Sequence, residues 1–425
     1  MTRKSISGVR PGRITWHKFT QNHLAMFGLV LILLAVVVAF LGSLIRPDGT
    51  RNANDILLSI KKQEPGFTIT LLHIRKNKEV ETTAFWNRLL NGGQEKSHET
   101  VPIWSHEFRG SSLIVEEFNG RNTEQPGNKR VFAIADVVHA LERAPARTIP
   151  GREFPGDEHR KINFTLLDGQ IMEASIGSLR KAIERKALEK RTYWFGTDQF
   201  GRDMLSRLMA GTVISLAVGL IAVAISLLIG ITLGAIAGYF RGWVDDVVLW
   251  LINVVWSIPT LLLVIAITFV LGKGFWQIFV AVGLTMWVEV ARMVRGQVLS
   301  LRQQEYVEAG KAMGFNSFRI IYRHLLPNLS GPVIVIAASN FAYAILMEAG
   351  LSFLGIGLQP PMTSWGRMIK EHYGFIMTDG AYLAISPGIA IMLLVLSFML
   401  VGNGLRDALD SRSVGGHGLG RITSG

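Results

Sequence analysis

The sequence predicts an all-α polytopic membrane protein with six transmembrane helices and a small α+β soluble domain inserted between spans one and two. Three observations predict it. The 425-residue chain carries only 18% charged residues at a mean hydropathy of +0.32, below the roughly one-quarter charge of soluble proteins. Six separate runs are long and apolar enough to cross a bilayer. One long stretch with both signs of charge, residues 46–203, interrupts them after the first run.

A hydrocarbon core about 30 Å thick takes roughly 20 mostly apolar residues per helix. Residues 24–45 meet that length without a charge. The N-terminus before them, 1–23, carries Arg3, Lys4, Arg10, Arg13 and Lys18 and no acid. A signal peptide has a shorter apolar region ending in small residues. Here the run ends in Arg46-Pro47, so a retained helix with a cytoplasmic N-terminus is expected. Five further runs follow at 214–237, 247–271, 276–294, 332–354 and 382–401, making a core of 204–403 and a cytoplasmic tail of 404–425. The loop 295–331 carries Arg295, Arg302, Lys311, Arg319 and Arg323 against Glu305 and Glu308, and the positive-inside rule puts it in the cytoplasm. The net charge of +12 is therefore a membrane signature. Without a basic stripe interleaved with aromatics, nucleic acid is not an expected partner. With no cysteine, disulfides, thiol catalysis and cysteine metal sites are excluded.

Residues 46–203 are expected outside the membrane, and roughly 150 residues suffice for a core of their own. Phe67-Thr68-Ile69-Thr70-Leu71-Leu72 and 112–118 read as strands, and 164–167 and 171–174 flank the hairpin signal Asp168-Gly169. Residues 177–191 read as a charged helix and the Pro/Gly cluster 145–156 as a loop. His73, His98, His106, His139 and His159 are scattered, with no H-E-x-x-H or paired spacing. Neither catalysis nor a metal site is expected there.

Within the spans, Ala222, Ser226, Gly230, Gly234 and Gly238 recur every fourth residue. That stripe is expected to pack closely on another helix rather than to touch solute. Pro259 and Pro387 would each leave a carbonyl unpaired and kink their helices. Glu289 and Arg292, three apart on one face, are expected to neutralise each other. Glu348 has no basic partner within one turn of its helix. It is either a pathway or gate carboxylate or a hydrated one near the outer end.

The segment 305–328, E-Y-V-E-A-G-K-A-M-G-F-N-S-F-R-I-I-Y-R-H-L-L-P-N, is the most informative. Residues 305–313 favour a helix that Gly314 ends in the left-handed C′ conformation, and Asn316 or Ser317 can cap the next. Phe318, Ile321, Tyr322 and Leu325 then form one apolar face, which Pro327 stops. The result is a helix–Gly–helix element, either a docking segment or a hairpin on the bilayer surface.

Glu308-Ala309-Gly310, Gly314 and Leu326-Pro327 resemble the E-A-A-x-x-x-G…L-P loop of ABC importer permeases, with Gly310 in place of an alanine and His324 in place of the commoner isoleucine. R-H-L-L-P-N is similar to the peptide-importer branch. So are Phe195-Gly196-Thr197-Asp198-Gln199-Phe200-Gly201-Arg202-Asp203, Ala237-Gly238-Tyr239-Phe240-Arg241-Gly242-Trp243, Val294-Arg295-Gly296-Gln297, Leu351-Ser352-Phe353-Leu354-Gly355 and Gly404-Leu405-Arg406-Asp407-Ala408-Leu409. The chain thus resembles the second permease subunit of dipeptide, oligopeptide and nickel importers, with an unusually large insertion after the first span.

The resemblance implies an inner-membrane transport subunit with both termini cytoplasmic, working by alternating access and carrying peptides or peptide-like solutes. Its partners would be a second homologous permease, two cytoplasmic ABC ATPases, an outer solute-binding protein and the lipid membrane. Glu305, Glu308, Ala309, Gly310, Gly314, Leu326 and Pro327 would dock on an ATPase. Asp198 and Asp203 are candidate gate residues, although turn and cap roles suit them equally. No catalytic residue or cofactor is expected on this chain, because neither Gly272-Lys273 nor Gly310-Lys311 continues into Ser or Thr as a P-loop requires. ATP and magnesium would sit on the partner ATPases. An ion-gradient-driven secondary transporter is the alternative, but it calls for inverted repeats and midplane charges. A receptor would leave the later spans and the loop without a purpose.

Overall fold

The structure is a computed structural model, and it describes residues 11–79, 93, 95–120, 127–142, 157–272 and 274–409. In chain order the elements begin with α1 (Pro11–Gln21) and α2 (His23–Ile45). Then come β1 (Phe67–Arg75), β2 (His98–Arg109), β3 (Ser112–Glu117), β4 (Lys129–Ala133), α3 (Ile134–Val138), β5 (Lys161–Thr165), β6 (Ile171–Ser175), α4 (Ile176–Ala182) and β7 (Leu188–Tyr193). The rest is helical: α5 (Met204–Phe240), α6 (Trp243–Trp256), α7 (Thr260–Leu271), α8 (Phe275–Leu301), α9 (Glu305–Ala312), α10 (Ser317–Ile320), α11 (Ser330–Leu354), α12 (Trp365–His372) and α13 (Tyr382–Leu409). Two compact units result: Met1–Ala39 with Gly211–Tyr373 and Ala384–Gly425, and Phe40–Ala210 with Gly374–Leu383.

In the helical unit, α2, α5, α8, α11 and α13 are each long and apolar enough to cross a membrane. The third expected span, 247–271, is not one straight helix. α6 and α7 meet at 93°, so the described residues hold five such helices, or six if the bent pair crosses as one. Pro259 ends the helical ladder instead of kinking it, because it lies just before α7 and has no N–H to donate. Pro387 lies inside α13, which continues past it.

The glycine stripe of α5 lies against α8. A Cβ on Gly230 would fall 2.5 Å from Val290 Cβ, one on Gly234 2.5 Å from the Ala291 carbonyl, and one on Gly238 2.8 Å from the Arg295 carbonyl. Only hydrogen fits there, and the two backbones approach over three turns. Above the stripe, Ile214, Val218 and Ala222 pack with Val264, Phe279, Val282 and Leu351. Arg292 does not pair with Glu289. Its guanidinium lies 3.5 Å from the centroid of the Trp256 ring, where a π-face offers a dry partner for the cation. At the N-terminus, Phe19 and Ala25 pack with Ala408 of α13.

The polar unit holds a five-stranded sheet in the order β4-β3-β2-β1-β7 and a separate β5–β6 hairpin. Every pairing is antiparallel. Gly169, at φ +81°, turns that hairpin without a Cβ penalty. One sheet face buries Leu72, Ile74, Val101, Ile103, Leu113 and Val115 under Ile134, Ile176, Leu179 and Ile183 of the helical segments. A second core gathers Leu57, Ile60, Ile69, Leu71, Phe118 and Tyr193. The helix expected at 177–191 stops early. It closes with a π turn, Ile183–Ala187, and Leu188–Tyr193 is an edge strand on β1. Burial of Tyr193 and pairing with β1 override the helix propensity of the Glu/Lys/Arg run. The loop expected at 145–156 lies outside the described residues.

On β7, Glu189 accepts hydrogen bonds from His73 Nε2 at 2.8 Å and from Arg191 Nε and Nη2 at 2.9 and 2.8 Å. The His73 bond, then Arg191, holds its carboxyl at about 2, against the opposing cost of burial.

Two tests follow from this packing. Gly234→Leu should lower stability by about 1–3 kcal/mol in thermal unfolding of the detergent-solubilised protein. Gly296→Ala, where a Cβ meets nothing within 4 Å, should keep or raise the midpoint, since alanine favours a helix interior. Glu189 has a folded pKa depressed from 4.5 to about 2, so its contribution is full above 4.5 and is lost as pH falls toward 2. With the side chain 45% exposed, solvent screening reduces that contribution to about 1 kcal/mol. Glu189→Gln should flatten the acid limb of a pH-dependent unfolding curve by that amount and leave stability at pH 7 lower by as much.

Candidate functional site

The loop between α8 and α11 is built on one buried key and one forced turn. α9 begins after Gln304 and carries Glu305 and Glu308 in its first turn, where carboxylates complement the helix dipole. Val307 is fully buried and packs with Val294 and Val298 of α8 and with Ile320, Ile321 and Leu325. Glu305, Tyr306, Glu308, Ala309 and Lys311 stay exposed, whereas Gly310 is buried.

The helix ends in a Schellman motif. Gly314 N–H donates to the Lys311 carbonyl at 2.9 Å, and Phe315 N–H donates to the Gly310 carbonyl at 3.0 Å. Gly314 takes φ +76°, which a side chain would strain. The Phe315 ring covers Gly310, and an alanine Cβ there would meet it at 3.4 Å. Gly310 and alanine are thus near-equivalent at this position.

Asn316 caps α10, its side chain accepting from Phe318 N–H at 3.3 Å. Two expectations about the next stretch are corrected. Pro327 does not stop the helix. A π turn, Ile321–Leu325, leads into a helical turn, Leu326–Asn328, with Pro327 at its start, where a missing N–H costs nothing. The four apolar residues do not share one fate either. Ile321 and Leu325 enter the core, while Phe318 and Tyr322 stay exposed with their rings stacked at 6.1 Å. Four apolar side chains span more of the helix than the ends of α8 and α11 cover. Leu326 is half-buried on the same core and Pro327 is exposed.

Glu348 lies elsewhere on α11, away from the surface. It is fully buried, with Ser352 Oγ donating to its Oε1 at 2.6 Å. Oε2 has no hydrogen-bond partner among the described residues. Ser352 Oγ also accepts from Leu358 N–H at 3.3 Å and lies 3.4 Å from Ser364 Oγ. Ser364 in turn caps α12 by accepting from Arg367 N–H. This polar knot joins the end of α11 to the loop and helix that follow. Sequence reasoning found Glu348 and missed Ser352 and Ser364; the i,i+4 spacing of Glu348 and Ser352 was the available signal.

Asp198 and Asp203 are both buried and hydrogen-bonded. Asp198 accepts from Phe200 N–H at 2.8 Å, Arg202 N–H at 3.0 Å and Arg202 Nε at 2.6 Å. Asp203 caps α5 by accepting from Ser206 N–H at 2.9 Å. This is the geometry of a turn and a cap, with neither carboxylate open to a passing solute. Gly230, Gly234 and Gly238 lie in the α5–α8 contact, apart from both sites.

Residues 230–414 match the family model described as binding-protein-dependent transport system inner membrane component, and residues 10–63 match the N-terminal TM domain of oligopeptide transport permease C. The glutathione transport system permease protein GsiD of Pectobacterium atrosepticum is 42% identical over 205 residues, 48% of this chain and 68% of the relative. The chain belongs to the binding-protein-dependent inner-membrane permease family. Its members include the dipeptide transport permease DppC of Alkalihalophilus pseudofirmus, 43% identical over 48% of this chain and 66% of that protein. The oligopeptide transport permease OppC of Bacillus subtilis is 38% identical over the same shares. A solved inward-facing MetNI methionine ABC transporter overlaps 49% of this chain and 98% of its own at 21% identity and a TM-score of 0.41. Residues 64–229 lie outside both family matches.

Ser352→Ala would remove the donor at 2.6 Å from the buried Glu348 carboxyl. It should cost about 1–3 kcal/mol in thermal unfolding in detergent. Ser352→Thr, which keeps the hydroxyl, should recover most of that loss.

Proposed function

We propose that the chain is one permease subunit of an ATP-driven, binding-protein-dependent importer of peptides or peptide-like solutes. The observation that carries this reading is α9: a short helix keyed into the spans by Val307, closed by Gly314, with Glu305, Glu308 and Ala309 outward. Such a knob suits insertion into a groove of a cytoplasmic ATPase. Its buried side touches the ends of α5 and α8, so a displacement of α9 acts directly on spans. Leu326 and Pro327 complete the segment.

In this reading, ATP and magnesium belong to two ATPase partners, and a second homologous permease completes the pore. Both termini and the 295–331 loop face the cytoplasm, residues 46–203 lie outside, and a solute-binding protein delivers the cargo. Alternating access then follows from rocking of the spans. The peptide class rests on the named substrates of the relatives: dipeptides, oligopeptides and glutathione.

Gly314→Val and Glu308→Trp should each reduce ATP-dependent uptake of a labelled tripeptide by about tenfold or more, with unchanged amounts of the chain in the membrane. Wild-type uptake by both variants would overturn the docking role. Uptake that survives ATP depletion and collapses with the proton gradient would point to a secondary transporter.

A further inference from the structure

α5 ends at Phe240, and α6 starts at Trp243. Between them Arg241 and Gly242 both take positive φ, +60° and +55°, so the chain turns sharply and returns against α8. Asp245, in the first turn of α6, is buried there. Its carboxylate accepts a bidentate pair of hydrogen bonds from Arg295 on α8, Nε to Oδ1 at 2.5 Å and Nη2 to Oδ2 at 2.7 Å. The Arg295 carbonyl is also the atom that Gly238 packs against, so one residue of α8 grips both arms of the corner.

A second clasp lies beyond it. Arg302, capping the end of α8, donates from Nη1 to the Tyr239 carbonyl at 2.6 Å. Its guanidinium and Lys311 Nζ of α9 each lie 5.8 Å from the Tyr239 ring centroid. Tyr239 is buried in the same core as Val307.

We infer that Asp245 and Arg295 are positioning residues that bind the α5–α6 corner to α8, to which Tyr239, Arg302 and Lys311 join α9, so that α9 drives two spans as a single rigid body. The inference rests on the proposed docking of α9 on an ATPase. Planar fork-to-carboxylate geometry resists both sliding and rotation, which a point contact does not. Without it, α9 and α8 could move while α6 lagged. The pair lies outside the segment proposed to dock and acts through the helices it joins.

The chain has no cysteine, so spin labels can be placed at will. Val247→Cys on α6 and Ala312→Cys on α9 are both at exposed positions. In the assembled transporter with its permease and ATPase partners, their distance distribution is measured without nucleotide and with trapped ATP. The expected result is one narrow distribution, the same in both states. Arg295→Gln should broaden it by about twofold and make it nucleotide-dependent. Arg295→Lys should fall between, because a lysine keeps the charge and loses the fork. The exchanged pair D245R/R295D should narrow it again in part, since a cation in the first turn of α6 opposes the helix dipole. A wild-type distance that changes with nucleotide would overturn the inference, and so would an Arg295→Gln distribution like wild type. Failure of the exchange to narrow it would mean the pair merely fills space, which also overturns it. Co-purification of the ATPases is scored in the same preparations. Its absence with the wild-type chain would sink the proposed function and this inference together, whereas its presence with a mobile pair sinks the inference alone.

Discussion

The membrane core depends on the approach of two backbones. Lipid tails are as apolar as leucine, so no hydrophobic force draws one span to another, and association rests on packing and on polar contacts. Along α5, Gly230, Gly234 and Gly238 remove the side chains that would hold α8 away. Dispersion contacts over three turns then accumulate from backbone atoms, which have no rotamer freedom to lose. The other elements of the site inherit their positions from this contact. The α5–α6 corner can reach Arg295 only because Gly238 lets α8 come close, and Val307 finds a pocket only because the ends of α5 and α8 lie side by side.

The loop that follows α8 uses this platform economically. One valine anchors α9, one glycine ends it, and the exposed remainder is a mixed surface of carboxylates, tyrosine and methionine. A helix of two turns has little stability of its own, since nucleation is costly and isolated short helices are marginal in water. Its order therefore comes from the buried side and from the Schellman bonds. α9 is thus held in one place on the spans despite its length.

The two polar clusters obey different rules. In the polar unit, Glu189 keeps its charge because His73 and Arg191 supply donors and water reaches one side. On α11, Glu348 is fully buried and takes its closest hydrogen bond from Ser352, so its environment is one where a carboxyl is costly unless its neighbours hold still. Ser352 and Ser364 supply that restraint and tie the end of α11 to α12. Asp198 and Asp203, both buried, commit their oxygens to a turn and a helix cap.

Much of this was legible in the residues. Span length follows from bilayer thickness, so α2, α5, α8, α11 and α13 could be located from apolar runs, and the glycine stripe marked its own packing face. Gly314 could be read because only glycine takes a left-handed C′ at no cost. Other features depended on what lies across from a residue. Pro259 breaks a span and Pro387 does not, although the two residues are chemically identical. Leu188–Tyr193 became a strand because β1 offered an edge, and Phe318 and Tyr322 stayed exposed because the core had no more room. By itself the sequence determined what is local: helix lengths, turn residues, the sign of the loop's charge and the family. The tertiary structure alone decided the partners, Asp245 with Arg295, Arg292 with Trp256 and Glu348 with Ser352, because burial and pairing are properties of neighbours brought together from elsewhere in the chain or around a helical turn.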